Sequence, residues 1–325
     1  MNISVLGCGR WGSFLAWYAD KIGHNTISYG PDDDVYRSLA KTYKNEYVAY
    51  PKSIEVCCDL NHAINHADII IIAISAQGLR GFLPKVLKCI DDNKKTQAND
   101  KRIVLCMKGI EETTGKRLTE VAIECGVKKE NIAVWVGPGH IQDFVRGVPN
   151  CMVMDSYSKE LTKSLADTFS SDLIRFYYGT DIIGTEIGAA TKNVFGLLAG
   201  MLDGLGLGVL KGALMARGAH EVAQLIKTLG GSELSAYGLC HLGDYEATLF
   251  SQNSNNRLWG ENYIKGVKST RLAEGVATAR AVEKIAKSKG IEMPITHTIE
   301  QLISEQRPPS DILSTLFKRV TKNEF

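Results

Sequence analysis

Ile3-Ser4-Val5-Leu6-Gly7-Cys8-Gly9-Arg10-Trp11-Gly12-Ser13-Phe14-Leu15-Ala16-Trp17 is the stretch that decides the fold. A short apolar strand runs into G-x-G-x-x-G, and helix-forming residues follow at once. Each glycine has its own physical reason. Gly7 permits the tight turn from strand to helix. Gly9 has no side chain, so a pyrophosphate can approach the backbone. Gly12 lets helix and strand pack closely. The free N–H groups of the helix N-terminus then face the phosphates. The strand before and the helix after make this turn far more specific than the glycine spacing alone.

Working outward, short apolar runs alternate with amphipathic stretches. The runs Ile3–Leu6, Thr26–Tyr29, Ile69–Ile74, Ile103–Met107, Ala133–Val136, Cys151–Met154 and Leu173–Tyr177 read as strands. Helical patterns such as Leu79–Ile90 and Gly115–Glu124 lie between them. Strand alternating with helix predicts an α/β domain around a mainly parallel, Rossmann-type sheet. Ile69–Ile74 is apolar throughout, as a strand covered on both faces should be. From about Asp181 strand signals fade, and Gly184–Gly200, Ala213–Thr228, Leu272–Lys287 and Ile295–Ser304 read as helices. This predicts a dinucleotide-binding domain over 1–180 and an all-α substrate-binding domain over 181–325. The glycine-rich segment from Gly200 to Gly212 reads as a loop between helices.

A chain of 325 residues is long enough for two domains, each with its own core. A net charge of +2 gives no reason to expect a nucleic-acid surface. No apolar run approaches the roughly 18 residues needed to span a membrane. The N-terminus reads as a working strand rather than a signal peptide. These features predict a cytoplasmic protein with neither nucleic acid nor membrane as partner. The eight cysteines form no C-x-x-C and read as reduced core residues. Of the seven histidines only His62 and His66 stand four apart, and one such pair supplies too few ligands for a metal site, so no metal is predicted.

In an open parallel sheet, ligands lie beyond the carboxyl ends of the strands. Lys192 stands out in the helical run after Gly184. Its neighbours three and four positions away, and the residue seven positions on, are Gly188, Ala189, Phe195, Gly196 and Ala199. Two readings are open: a lysine snorkelling at a domain junction, or a partly desolvated ammonium suited to proton transfer. Asp244 and Thr248 are four apart, on one face of a helix, or an N-cap and a helix-facing threonine. Lys108 follows the strand Ile103–Met107 and is either aimed at the crevice or on a surface turn. Gly137-Pro138-Gly139 is a further loop at a strand's carboxyl end. Asn253 to Arg257 reads as an anion-binding loop or, somewhat better, as ordinary surface.

Taken together, these motifs resemble the NAD(P)-dependent glycerol-3-phosphate dehydrogenase family over essentially the whole chain. The matching stretches are G-C-G-R-W-G at 7–12, M-K-G at 107–109, T-K-N-V at 191–194 and D-G-L-G-L-G at 203–208. R-G-A-H-E at 217–221, L-G-D-Y-E-A-T at 242–248, E-G-V-A-T-A at 274–279 and M-P-I at 293–295 complete the set. The resemblance implies a 6-phosphogluconate dehydrogenase-like helical domain. It also implies reversible reduction of dihydroxyacetone phosphate to sn-glycerol 3-phosphate by NADH or NADPH. Carried over, Lys192 looks like the general acid/base, Asp244 orients it, and Lys108 is similar to a second active-site lysine that stabilises a developing alkoxide. Asn193, Thr248 and Asn256 would hold a small phosphorylated substrate. The cofactor would lie against Gly7, Gly9, Arg10, Trp11, Gly12, Tyr29, Asp32, Ser75, Gly137, Ile141 and Glu274. The resemblance is compatible with a homodimer.

The chain departs from the family pattern at informative places. The family usually has Ser-Arg-Asn where this chain has Ser254-Asn255-Asn256, and that arginine normally pairs with the substrate phosphate. A neutral amide is a far weaker anion partner than a guanidinium fork. Arg257, one residue on, is the expected substitute. Leu210 stands where asparagine is usual, Ser75 where proline is, and Ile141 where alanine is. The aspartates Asp32, Asp33 and Asp34 after the second strand favour NAD, with Arg37 nearby leaving NADP possible. Two alternatives follow: an NAD-dependent dehydrogenase of another small hydroxy compound, and a nucleotide-binding homologue without catalysis.

Overall fold

The computed structural model describes residues 1–92, 101–269, 273–304 and 308–310. Leu272, the expected start of one helix, and 311–325 of the expected second domain lie outside them. The chain separates into two compact units. One holds 1–108 and 116–186, the other 109–115 and 187–325.

The first unit carries an eight-stranded sheet among the described residues. Its strands are β1 Asn2–Leu6, β2 Asn25–Tyr29, β3 Glu55–Cys57, β4 Ile69–Ile72, β5 Arg102–Leu105, β6 Ile132–Val136, β7 Asn150–Ser156 and β8 Ile174–Tyr178. The helices are α1 Arg10–Lys21, α2 Asp34–Thr42, α3 Leu60–His66, α4 Leu79–Asp92, α5 Leu118–Glu124, α6 Ile141–Val145 and α7 Lys159–Phe169. The order is β3-β2-β1-β4-β5-β6-β7-β8, so the strand order reverses beside β1. That is the doubly wound arrangement with its ligand crevice between β1 and β4.

Burial on both faces explains the sequence of β4. Ile69 and Ile71 enter the core beneath α1 and α7, while Ile70 and Ile72 enter the core beneath α3, α4 and α5. All four are fully buried. Two details differ from the sequence expectation. β3 is a three-residue, partly polar strand with no readable periodicity. β7 runs antiparallel to β6, and β8 parallel to β7, so the last two strands are reversed. An antiparallel neighbour needs no return crossover, and the link between β6 and β7 holds the five-residue α6.

The second unit is helical: α8 Ile182–Gly204, α9 Lys211–Thr228, α10 Leu242–Leu249, α11 Asn255–Ile264, α12 Glu274–Lys289 and α13 Pro294–Ser304. α8 begins in the first unit, and the rest of it, from Ile187, belongs to the second. Its side chains are buried on every face from Ile187 to Leu202, as in a helix at the centre of a core. The segment Gly200–Gly212, expected to be a loop, is instead mostly helical. α8 continues to Gly204, and a single 3-10 turn at Gly208–Leu210 leads into α9. The glycines serve packing. A Cβ on Gly200 would overlap the Arg257 carbonyl oxygen, one on Gly260 would overlap the Leu197 carbonyl oxygen, and one on Gly204 would lie 2.8 Å from Ile264 Cβ. α8 and α11 thus meet backbone to backbone, which outweighs the low helix propensity of glycine. Among the described residues, no helix is long and apolar enough to cross a membrane.

Candidate active site

In the first unit, the turn between β1 and α1 is built by its glycines. Gly7 has φ +116°, and a Cβ there would press on the Ala73 carbonyl. A Cβ on Gly12 would overlap the Gly7 carbonyl oxygen. Gly9 differs. It is the exposed N-cap of α1, provides no side-chain cap, and a Cβ on it would meet nothing within 4 Å. Two tight glycines hold the turn and one leaves open space before the first amides of a 12-residue helix. That fits a dinucleotide pyrophosphate.

The other cofactor residues expected in this unit lie at or soon after the carboxyl ends of its strands. Arg10 opens α1 with its guanidinium over the Tyr47 ring. The Trp11 indole nitrogen is buried without a hydrogen-bond acceptor. Tyr29 ends β2 and stacks on Phe82. Asp33 caps α2, accepting from the Tyr36 amide. Asp32 instead pairs with Arg37, Nε to Oδ1 2.8 Å, in solvent. That hydrogen bond holds the Asp32 carboxyl below its usual range. Ser75 is exposed at the N-cap of the 3-10 turn Ala76–Gly78. Lys108 lies after β5 and donates from Nζ to the Gly137 carbonyl at 2.8 Å, its ammonium 6.0 Å from the Trp11 ring. Gly137 itself needs φ +140°. Ile141 departs from expectation. Its side chain is buried in the core with Phe144, so only its backbone remains to meet a ligand.

In the second unit, three expected residues converge. Lys192 on α8 is 8 % exposed. Its Nζ lies 3.0 Å from Asp244 Oδ1 and donates to Thr248 Oγ1 at 2.8 Å. The Thr248 hydroxyl in turn donates to the Asp244 carbonyl oxygen one helical turn back. Spacing of four on α10 therefore puts carboxylate and hydroxyl on the side facing α8. A buried ammonium needs such compensation, since an unpaired one would cost several kcal/mol.

Beside this pair lies an amide relay. Asn256 Nδ2 donates to Asn193 Oδ1 at 2.9 Å, and Asn256 Oδ1 accepts from the Gly275 amide at 3.0 Å. This joins α8, α11 and α12, and Gly275 has no room for a Cβ against the Asn193 carbonyl. Glu274 is the first residue of α12. Asn253–Arg257, read as a loop, is divided: Ser254 accepts from the Arg257 amide as N-cap, and Asn255 already belongs to α11.

Arg257 does not take the expected role of a free anion clamp. Its guanidinium pairs with Asp203 at 2.5 Å and Glu261 at 3.1 Å, and its Nε donates to the Ser251 carbonyl. Lys211 joins the same Asp203 at 2.6 Å. The sequence shows i, i+4 spacing for Arg257 and Glu261, but Asp203 is 54 positions away.

Two further residues were missed in sequence. His241 and Tyr245 are fully buried beside Lys192 and Phe195, with ring centroids 4.6 Å apart. His241 lies three positions before Asp244, a spacing that places them on the same turn. Nothing in the sequence marked either as buried.

Residues 2–162 match the family model for the NAD-dependent glycerol-3-phosphate dehydrogenase N-terminus, and residues 181–314 the one for its C-terminus. The chain belongs to that family. A glycerol-3-phosphate dehydrogenase [NAD(P)+] of Chlorobium limicola is 32 % identical over 338 residues, covering 100 % of this chain and 99 % of the relative. That of Prosthecochloris aestuarii is 33 % identical over 339 residues, covering both chains fully. The crystal structure of glycerol-3-phosphate dehydrogenase from Coxiella burnetii is 25 % identical with a TM-score of 0.89, covering 98 % of each chain. The glycerol-3-phosphate dehydrogenase of Plasmodium falciparum, 17 % identical with a TM-score of 0.81 over 99 % of this chain and 97 % of that one, shares the fold. Within this family the architecture is a Rossmann-type mainly parallel sheet followed by helices, as described above.

Proposed function

We propose that this protein catalyses the reversible NAD(P)H-dependent reduction of dihydroxyacetone phosphate to sn-glycerol 3-phosphate. The observation that carries the reading is the buried Lys192 ammonium held by Asp244 and Thr248, on a chain whose family performs this reaction. The nicotinamide, when bound, supplies the hydride to the ketone carbon. Lys192 donates the proton that the carbonyl oxygen needs as it becomes an alkoxide, and takes it back in the reverse direction. Asp244 and Thr248 fix the ammonium so that little reorganisation accompanies transfer. Lys108 adds positive charge for the developing oxyanion, while Asn193 and Asn256 orient the substrate's polar groups. Gly7, Gly9 and Gly12 cradle the pyrophosphate. NADH is favoured over NADPH, because Asp32 already occupies Arg37. The reading includes cytoplasmic residence and a homodimer, checked by fractionation and by solution mass.

A second reading keeps the hydride chemistry and changes the substrate to another small hydroxy compound. It is favoured by Asn255 and by the commitment of Arg257 to Asp203 and Glu261. A substrate panel assayed with both NADH and NADPH separates the two. Turnover of dihydroxyacetone phosphate supports the first; intact NADH binding without turnover of that substrate supports the second.

A further inference from the structure

His241 is a titratable side chain that the mechanism above does not use. It is fully buried at the residue before α10. Its Nδ1 lies 2.8 Å from the Gly188 carbonyl oxygen on α8. A carbonyl only accepts, so Nδ1 carries the proton. Gly188 is one helical turn before Lys192. A Cβ there would lie 2.9 Å from His241 Cβ, so glycine makes room for the ring. On the other side, the His241 backbone carbonyl accepts from the Asp244 amide at 3.0 Å. One residue therefore touches both the turn that bears Lys192 and the turn that bears Asp244.

We propose that His241 is a positioning residue. Its imidazole pins the first turn of α10 to α8, so that Asp244 and Thr248 meet the Lys192 ammonium. α10 has only eight residues and draws little stability from its own hydrogen bonds, so tertiary contacts set its position. The ring is edge-on to Tyr245 and Phe195, which bound its orientation. Lys192 from α8, Asp244 and Tyr245 from α10, and Glu221 of α9 near Tyr245 are the ionisable groups around it, with Cys240 against Gly188. Burial pushes the imidazole down to about 4, so it is neutral at physiological pH. Neutrality matters, because a second cation would compete with Lys192 for Asp244.

The inference rests on the reading of Lys192 as proton donor, and the experiment separates the two. In the full-length protein, kcat, KM for dihydroxyacetone phosphate, NADH affinity and the pH–kcat profile are measured for His241→Phe, His241→Asn and Lys192→Met. Phenylalanine keeps an aromatic ring and removes the donor; asparagine restores a donor near the Nδ1 position. His241→Phe should lower kcat about tenfold, with NADH affinity within about twofold, because misplacement of a reacting group costs rate rather than cofactor binding. Its pH–kcat midpoint should move by about half a unit or more, since the Lys192–Asp244 separation changes. His241→Asn should recover most of kcat. A folded His241→Phe with wild-type kcat and midpoint overturns the proposal, as does His241→Asn performing no better. Should His241→Phe not fold, Gly188→Ala displaces the same ring and is held to the same readouts. If Lys192→Met retains kcat, the reading of Lys192 fails first, whatever His241 does.

Discussion

Replacing Lys192 by methionine tests both the chemistry and the energetics of the buried pair. The ammonium lies 3.0 Å from Asp244 Oδ1, and both side chains are shielded from water. Loss of the proton donor should lower kcat by about 10² or more, or about 2.7 kcal/mol of transition-state stabilisation. Removing one partner of a buried pair also strands the other charge, at about 3–5 kcal/mol of folding stability. At roughly 2–4 °C per kcal/mol, Tm should fall by about ten degrees. The two effects separate in the double variant Lys192→Met/Asp244→Asn. Neutralising the stranded carboxylate should return most of the stability and none of the rate. NADH consumption with dihydroxyacetone phosphate reads the rate, and urea unfolding reads the stability. Wild-type kcat in a folded Lys192→Met protein that binds NADH would refute the catalytic role. A double variant no more stable than the single one would refute the ion-pair argument.

Gly9→Ala should fold normally, since a Cβ there meets nothing within 4 Å, yet weaken NADH binding; Gly12→Ala should lose about 1–3 kcal/mol or more of stability because its Cβ overlaps Gly7. Calorimetry and NADH titration of the two variants check the contrast, and equal effects would contradict it. Arg257→Ala should cost about 1–3 kcal/mol of stability through its lost charge-assisted bonds, with KM for the phosphorylated substrate within about threefold; a tenfold rise in KM would restore Arg257 as the anion clamp. His241 sits at about 4 against an ordinary 6.5, so its contribution is intact above pH 6.5 and is lost as pH falls toward 4, roughly 3 kcal/mol in all. Asp155, pushed up to about 6 by burial, acts in the opposite sense and regains stability as it protonates below that. The wild type minus His241→Phe difference in urea unfolding, near pH 7 and near pH 4.5, isolates the histidine; no change in that difference would remove it from the acid limb.

Much of the site was legible because its signals are local. The turn at Gly7–Gly12 combines strand, glycine spacing and helix within a dozen residues. Lys192 was conspicuous because its helical neighbours are small. Asp244 and Thr248 share a face by simple helical spacing. Arg257 misled because a cation in a polar stretch looks free until its partner is known, and Asp203 is distant in sequence. The glycines at 200 and 204 misled for the opposite reason. In isolation glycine breaks a helix, and only contact with α11 turns its missing side chain into an advantage.

Periodicity and the nucleotide turn sufficed to determine the α/β sheet, the change to helices and the chemical character of the cofactor, because these depend on neighbours within a turn or a strand. Tertiary structure alone decided the reversal of β7 and β8, the membership of 109–115 in the helical unit, the capture of Arg257 and the burial of His241. Each of these depends on which distant segments share space, and a hydrogen bond or a close packing contact carries no mark of its partner in the local sequence.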